Sequence, residues 1–118
     1  MRLPIFISLV VLLAAFSGRA ETFLAGFEDV PVMPGIEVDR EAVVAFDTPA
    51  GRIVEAYASG DVTKKAVQQF YQTALPQLGW ARTGILNFSR DGEKLRLELL
   101  GEPGAVTIRF ELGPVPKK

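Results

Sequence analysis

The chain of 118 residues contains no cysteine and no histidine. Without histidine it lacks the side chain whose ordinary pKa lies near neutrality, so the usual general base and the commonest transition-metal ligand are missing. Without cysteine, thiol nucleophiles, iron–sulfur clusters, thiolate zinc sites and a lipid-modified cysteine anchor are excluded, and no disulfide can brace the fold. Beyond residue 20 only Ser59 and Ser89 are serines, and neither has a histidine to activate it or a spacing that supports a serine–lysine pair. The closest acidic clusters are Glu28 with Asp29 and Glu37 with Asp39, but no loop shows the periodic oxygen ligands, six or more, of a calcium site. The "GEPG" turn around Gly101 and Gly104 lacks the strand–helix context of a phosphate loop. The expectation is a protein that is not an enzyme, with no catalytic residue, no metal and no cofactor.

A long apolar run is also missing. The start "MRLPIFISLVVLLAAFSGRA" has a cationic head at Arg2, an apolar run from Leu3 to Phe16, and small residues Gly18 and Ala20 at a cleavage site. A membrane-spanning helix needs about 20 apolar residues, and this run is shorter and carries Pro4 and Ser8, so 1–20 reads as a secretory signal peptide. Periplasmic or secreted localisation follows, with no stable membrane span after cleavage.

Setting aside Arg2 and Arg19 leaves 11 of the 13 basic residues against 14 acids, net −3. Glu21 to Asp61 holds nine acids and two bases, and Val62 to Lys118 holds nine bases and five acids. Such asymmetry either orients the molecule towards a charged partner or is neutralised within the fold, and the second reading is preferred. Nucleic acid is not an expected partner: the net charge has the wrong sign and no basic stripe with interleaved aromatics is present.

Residues 21–41 carry apolar side chains at no steady period, with Pro31, Pro34 and Gly35 opposing a helix or central strand. They read as an extended arm covering an edge or one end of the core. "AVVAF" (42–46) and "RIVEAYA" (52–58) read as strands joined by a turn through Pro49 and Gly51. A helix follows. Thr63 is its N-cap, Val62 and Val67 form a hydrophobic staple, and Val67, Phe70, Tyr71, Ala74, Leu75 and Leu78 make one apolar stripe. Lys64 and Lys65 oppose the helix dipole and are either solvated or hold an anionic group. Pro76 marks a kink or a separate last turn near Thr73 to Leu75. Gly79 fits the left-handed position after the helix, with Trp80, the single tryptophan, packing back on Leu75.

Three further strands are expected: "GILNFSR", then "EKLRLELL" across the Asp91-Gly92 hairpin turn, then "VTIRFEL". In the last two, Leu95, Leu97, Leu99 and Val106, Ile108, Phe110, Leu112 alternate with polar residues, so one face is buried and one wet. The fold class is α+β: an antiparallel sheet of about five strands in the order β-β-α-β-β-β, with one helix on its apolar face. The single domain spans 42–112, and 113–118 is a tail.

Lys94, Arg96, Glu98, Arg109 and Glu111 share the wet face with Thr107. They either form cross-strand ion pairs on a solvated surface or a flat docking surface for another envelope protein. An alternative is a groove between helix and sheet, lined by Phe70, Tyr71, Trp80 and Phe88, that carries a small apolar ligand.

"FYQTALPQLGW", followed by a strand, "RDG" and a leucine-alternating strand, resembles small exported bacterial proteins of a domain of unknown function whose helix ends in FY…LP.LGW. The resemblance covers about Asp47 to Leu112. It implies an envelope-located α+β module and brings no assigned activity or catalytic residues. More loosely, the layout is similar to helix-grip modules of outer-membrane assembly lipoproteins. The expected function is a non-enzymatic exported binding or accessory module that meets another envelope protein.

Overall fold

Seven antiparallel strands form one sheet and a single α-helix packs on it, in a computed structural model that describes residues 23, 24, 27 and 29–116. The signal-like segment therefore lies outside the described residues. The elements are β1 (Ile36–Val38), a 3-10 turn (Arg40–Ala42), β2 (Val44–Thr48), β3 (Gly51–Gly60), α1 (Lys64–Gln77), β4 (Ala81–Gly84), β5 (Asn87–Arg90), β6 (Glu93–Glu102) and β7 (Ala105–Pro114). The sheet order is β1-β3-β7-β6-β5-β4, with β2 beside β1 on the same edge of β3. The α+β class stands, but the strand count is seven rather than about five. The three residues of β1 lie inside the proline-rich arm, and β4 was hidden because "GILNFSR" is not one strand. It turns at Ile85–Leu86, so Gly84 and Asn87 pair across the turn.

The helix begins as its sequence dictates. Thr63 has extended backbone angles and its hydroxyl accepts the Ala66 N–H at 3.0 Å, while Val62 packs on the core beside the fully buried Val67. It runs through Pro76 to Gln77 instead of breaking near Thr73, because a proline this close to the end costs little of the ladder. The end is a Schellman motif: Trp80 N–H donates to Leu75 C=O and Gly79 N–H to Pro76 C=O, each at 3.1 Å, with Gly79 at φ 94°.

One face of the sheet is apolar throughout. Val54, Ala56 and Ala58 on β3, Val106, Ile108, Phe110 and Leu112 on β7, and Leu95 and Leu97 on β6 are buried beneath Val67, Tyr71 and Leu75 of the helix. The arm does more than cover an edge. Leu24, Phe27, Val30, Met33 and Ile36 are themselves core residues, and Phe27 meets Phe110 with ring centroids 6.2 Å apart. Burying each of the larger side chains contributes about 1.5–3 kcal/mol, against about 1–2 kcal/mol to order each backbone residue. The arm is held by several such anchors acting together.

The two halves of the chain interleave because β3 pairs with β7, so acidic and basic halves become neighbours. Arg52–Glu93, Arg90–Asp29 and Arg109–Glu55 all join them. These pairs neutralise part of the charge asymmetry, while Glu37, Asp39, Glu41, Asp47 and Asp61 of the acidic half take part in no ion pair among the described residues.

Candidate functional site

The outer face of the sheet gathers the five charged residues expected there. Lys94, Arg96 and Glu98 stand on β6 beside Arg109 and Glu111 on β7, with Arg96 opposite Glu111 and Glu98 opposite Arg109. Arg109 is the centre. Its Nε and Nη2 donate to Glu55 Oε2 at 2.8 and 2.6 Å, Nη1 donates to Glu98 Oε1 at 3.2 Å, and Nη2 lies 2.8 Å from Glu111 Oε2. Arg96 Nη1 reaches Glu111 Oε1 at 3.3 Å. The hydrogen bonds that Arg109 donates to Glu55, and then to Glu98, raise its already high pKa further, so it stays charged throughout the accessible pH range. Lys94 takes part in no ion pair among the described residues. With Glu55 included, three cations and three carboxylates balance on this face.

Glu55 is the residue sequence reasoning left out. Its placement on the outer face of β3 follows from alternation. Its pairing does not, because Glu55 lies 54 residues from Arg109 in sequence and meets it only through the β3–β7 neighbourhood.

An apolar strip lies beside this network. Val44 pairs with Glu55 and Phe46 with Ile53, so both project from the outer face, where they are 49% and 52% exposed. Tyr57, opposite Arg109, is half-buried between strip and network.

The four residues of the alternative groove do not share one lining: Phe70 and Tyr71 meet edge to face at 4.8 Å, while Phe70 and Phe88 border separate surface depressions. Tyr71, Trp80 and Phe88 are buried in the core, and only Phe70 is half-exposed. The Tyr71 hydroxyl donates to Pro31 C=O at 2.8 Å and accepts Met33 N–H at 3.2 Å, pinning the arm. Burial pushes its phenol well above the ordinary value, with the Met33 hydrogen bond acting in the opposite sense. Trp80 lies under the Arg90 guanidinium, 4.6 Å from the ring centroid, while Arg90 also donates to Leu78 C=O and pairs with Asp29. The helix stripe is split. Val67, Tyr71 and Leu75 meet the sheet, whereas Ala66, Phe70, Ala74 and Leu78 line a surface groove of about 740 Å³ with Pro31 of the arm. This groove runs between the helix and Pro31 of the arm. Phe88 contributes instead to a separate depression of about 230 Å³ with Thr83, Asn87, Lys94 and Arg96.

Among the described residues no group of three or more acidic side chains is placed to hold a metal ion, and no helix is long and apolar enough to cross a membrane. The fold and this surface define an antiparallel α+β protein with a helix on one sheet face and a charged, partly apolar platform on the other. Against protein-family models, curated proteins and solved structures alike, no match to this chain was found.

Proposed function

We propose that this chain is a non-enzymatic, exported binding module that docks against another envelope protein through the outer face of its sheet. The observation that carries the reading is the juxtaposition of exposed Val44 and Phe46 with the Arg109 network. Protein interfaces pair an apolar patch with a polar, hydrogen-bonded rim. Here the rim is fixed in place by its own ion pairs, so little side-chain freedom is lost on docking. The exported location rests on the signal-like start. A photo-crosslinking side chain placed at Phe46 or at Leu100, which is 40% exposed, tests the reading in intact cells. The expected result is one defined protein adduct from the outer face, lost in Phe46→Lys. Crosslinkers on this face that capture nothing would refute it.

The groove lined by Phe70, Ala74 and Leu78 supports a second reading, carriage of a small apolar ligand along the helix. Displacement of a solvatochromic apolar dye by a fatty acid, abolished in Phe70→Gln, is its test. A protein that binds no such dye is not a carrier.

A further inference from the structure

The sheet has two open edges, and they are built differently. At β4 the register slips between Arg82 and Gly84, leaving an extra residue in the edge, and Arg82 Nε folds back onto Gly84 C=O at 2.9 Å. Bulges and edge charges are the devices by which proteins stop another strand from adding. At β2 there is no bulge, and Asp47 is the strand's one charge. Val44 to Thr48 pair with β3 in unbroken register, and Val44, Ala45, Phe46 and Asp47 are all exposed. A strand of this kind presents a row of unpaired backbone donors and acceptors.

The flanks of this edge are acidic. Glu37, Asp39, Glu41 and Asp47 lie along β1, the 3-10 turn and β2, with Arg40 as the one base between Ile36 and Thr48. None of these carboxylates takes part in an ion pair among the described residues. Asp29, Glu55, Glu93, Glu98 and Glu111 each have an arginine partner, while Asp61 and Glu102 take part in no ion pair among the described residues. Two copies of this edge set side by side would oppose like charges, which disfavours symmetric self-pairing.

We propose that β2 accepts an extended, basic segment of a partner polypeptide as an added antiparallel or parallel strand. Backbone hydrogen bonds to β2 supply the attraction, and alternate side chains supply the selectivity. Apolar residues of the incoming strand lie beside Val44 and Phe46 on the outer face. Its lysines or arginines meet Asp47 and the carboxylates of the turn. The proposal rests on the binding-module reading and names the chemistry of the partner.

The test uses the isotope-labelled protein and a short blocked peptide alternating lysine with valine or phenylalanine. The amides of Val44 to Thr48 are expected to shift and to gain protection from hydrogen exchange. Binding is expected to weaken severalfold between about 0.01 M and about 1 M salt, where the Debye length falls from about 30 Å to about 3 Å. A peptide with alternate amides N-methylated, and one with glutamate in place of lysine, are expected not to bind. Glu41→Lys combined with Asp47→Lys is expected to reverse the preference between the lysine and glutamate peptides. Shifts confined to β4, to the Arg109 network or to the helix groove would overturn the proposal and leave the binding-module reading intact. So would equal binding of the N-methylated peptide. Protection of Val44 to Thr48 that grows with protein concentration in the absence of peptide would assign the edge to a second copy and overturn it likewise. The crosslinking experiment on the outer face decides the module reading separately.

Discussion

Tyr71→Phe removes one oxygen atom from the core and alters no apolar contact. That oxygen bridges the helix to two backbone groups of the arm, Pro31 C=O and Met33 N–H. A net hydrogen bond is worth about 0.5–1.5 kcal/mol, and a buried group left unsatisfied costs about 1–3 kcal/mol. Two bonds lost with their backbone partners still buried give an expected loss of about 2–4 kcal/mol, a large part of the stability of a small domain. In urea, with a slope of about 2 kcal/mol per molar, the midpoint is expected to fall by about 1–2 M with the slope unchanged. The Met33 amide is expected to lose exchange protection ahead of the sheet amides. A second readout comes from pH. Burial raises the folded-state pKa of Tyr71 above its unfolded value near 10, so stability is unaffected below that value. As pH rises past 10 the unfolded chain gives up the phenolic proton first, and stability falls by up to about 1.4 kcal/mol per pH unit. Tyr71→Phe is expected to remove that alkaline slope. A loss below about 0.5 kcal/mol in urea, with Met33 exchange unchanged, would refute the argument that this hydroxyl holds the arm.

Trp80→Ala is expected to cost about 3–5 kcal/mol in chemical unfolding; a loss below about 1 kcal/mol would show that the ring does not anchor the helix end. Trp80→Phe should cost less, since Trp80 Nε1 is buried with no hydrogen-bond acceptor among the described residues. A β-carbon on Gly60 would lie 2.0 Å from the Gly35 carbonyl oxygen, so Gly60→Ala is expected to cost about 1–3 kcal/mol and to expose the amides of Ile36 to Val38 to exchange. Arg109→Met should lower the thermal midpoint more than Arg96→Met, because Arg109 holds three carboxylates and Arg96 one. That gap should narrow in high salt as the stranded glutamates are screened, and equal effects at low salt would remove Arg109 from the centre of the network.

Local rules were legible in the sequence. The Thr63 cap, the Val62–Val67 staple and the Gly79–Trp80 terminator depend on residues a turn apart, and each is where the residue types put it. The Asp91-Gly92 turn is likewise present, with φ of 50° and 82°. What stayed hidden depends on distant partners. The apolar residues of the arm follow no period because they fill gaps in a core built by others. Strand β1 is recognisable only through its pairing with β3. The outer-face set lacked Glu55 because strand order decides which carboxylate Arg109 meets. Phe46 was assigned to a strand but not to a face. Ile36, Val38, Val44 and Phe46 all have even numbers, yet the first two point towards the core side and the last two away from it. Val38 pairs with Ala58 and Val44 with Glu55, so three extra residues between them invert the alternation.

That inversion has a consequence for how such a chain can vary. The frame of β2 is set by its own hairpin through Pro49 and Ala50, and the frame of β1 by the close approach of Gly60 to Gly35. Residues 39–43 join these two frames, tied to the fold by the Asp39 N–H bond to Tyr57 C=O and by half-buried Val43, with no buried side chain in the 3-10 turn between them. Length there is thus uncoupled from register. Residues can be inserted or deleted between Val38 and Val44 without turning Phe46 inward, and the acidity of the edge can be raised or lowered by the same changes. The segment is a place where partner preference can drift while the sheet keeps its pairing.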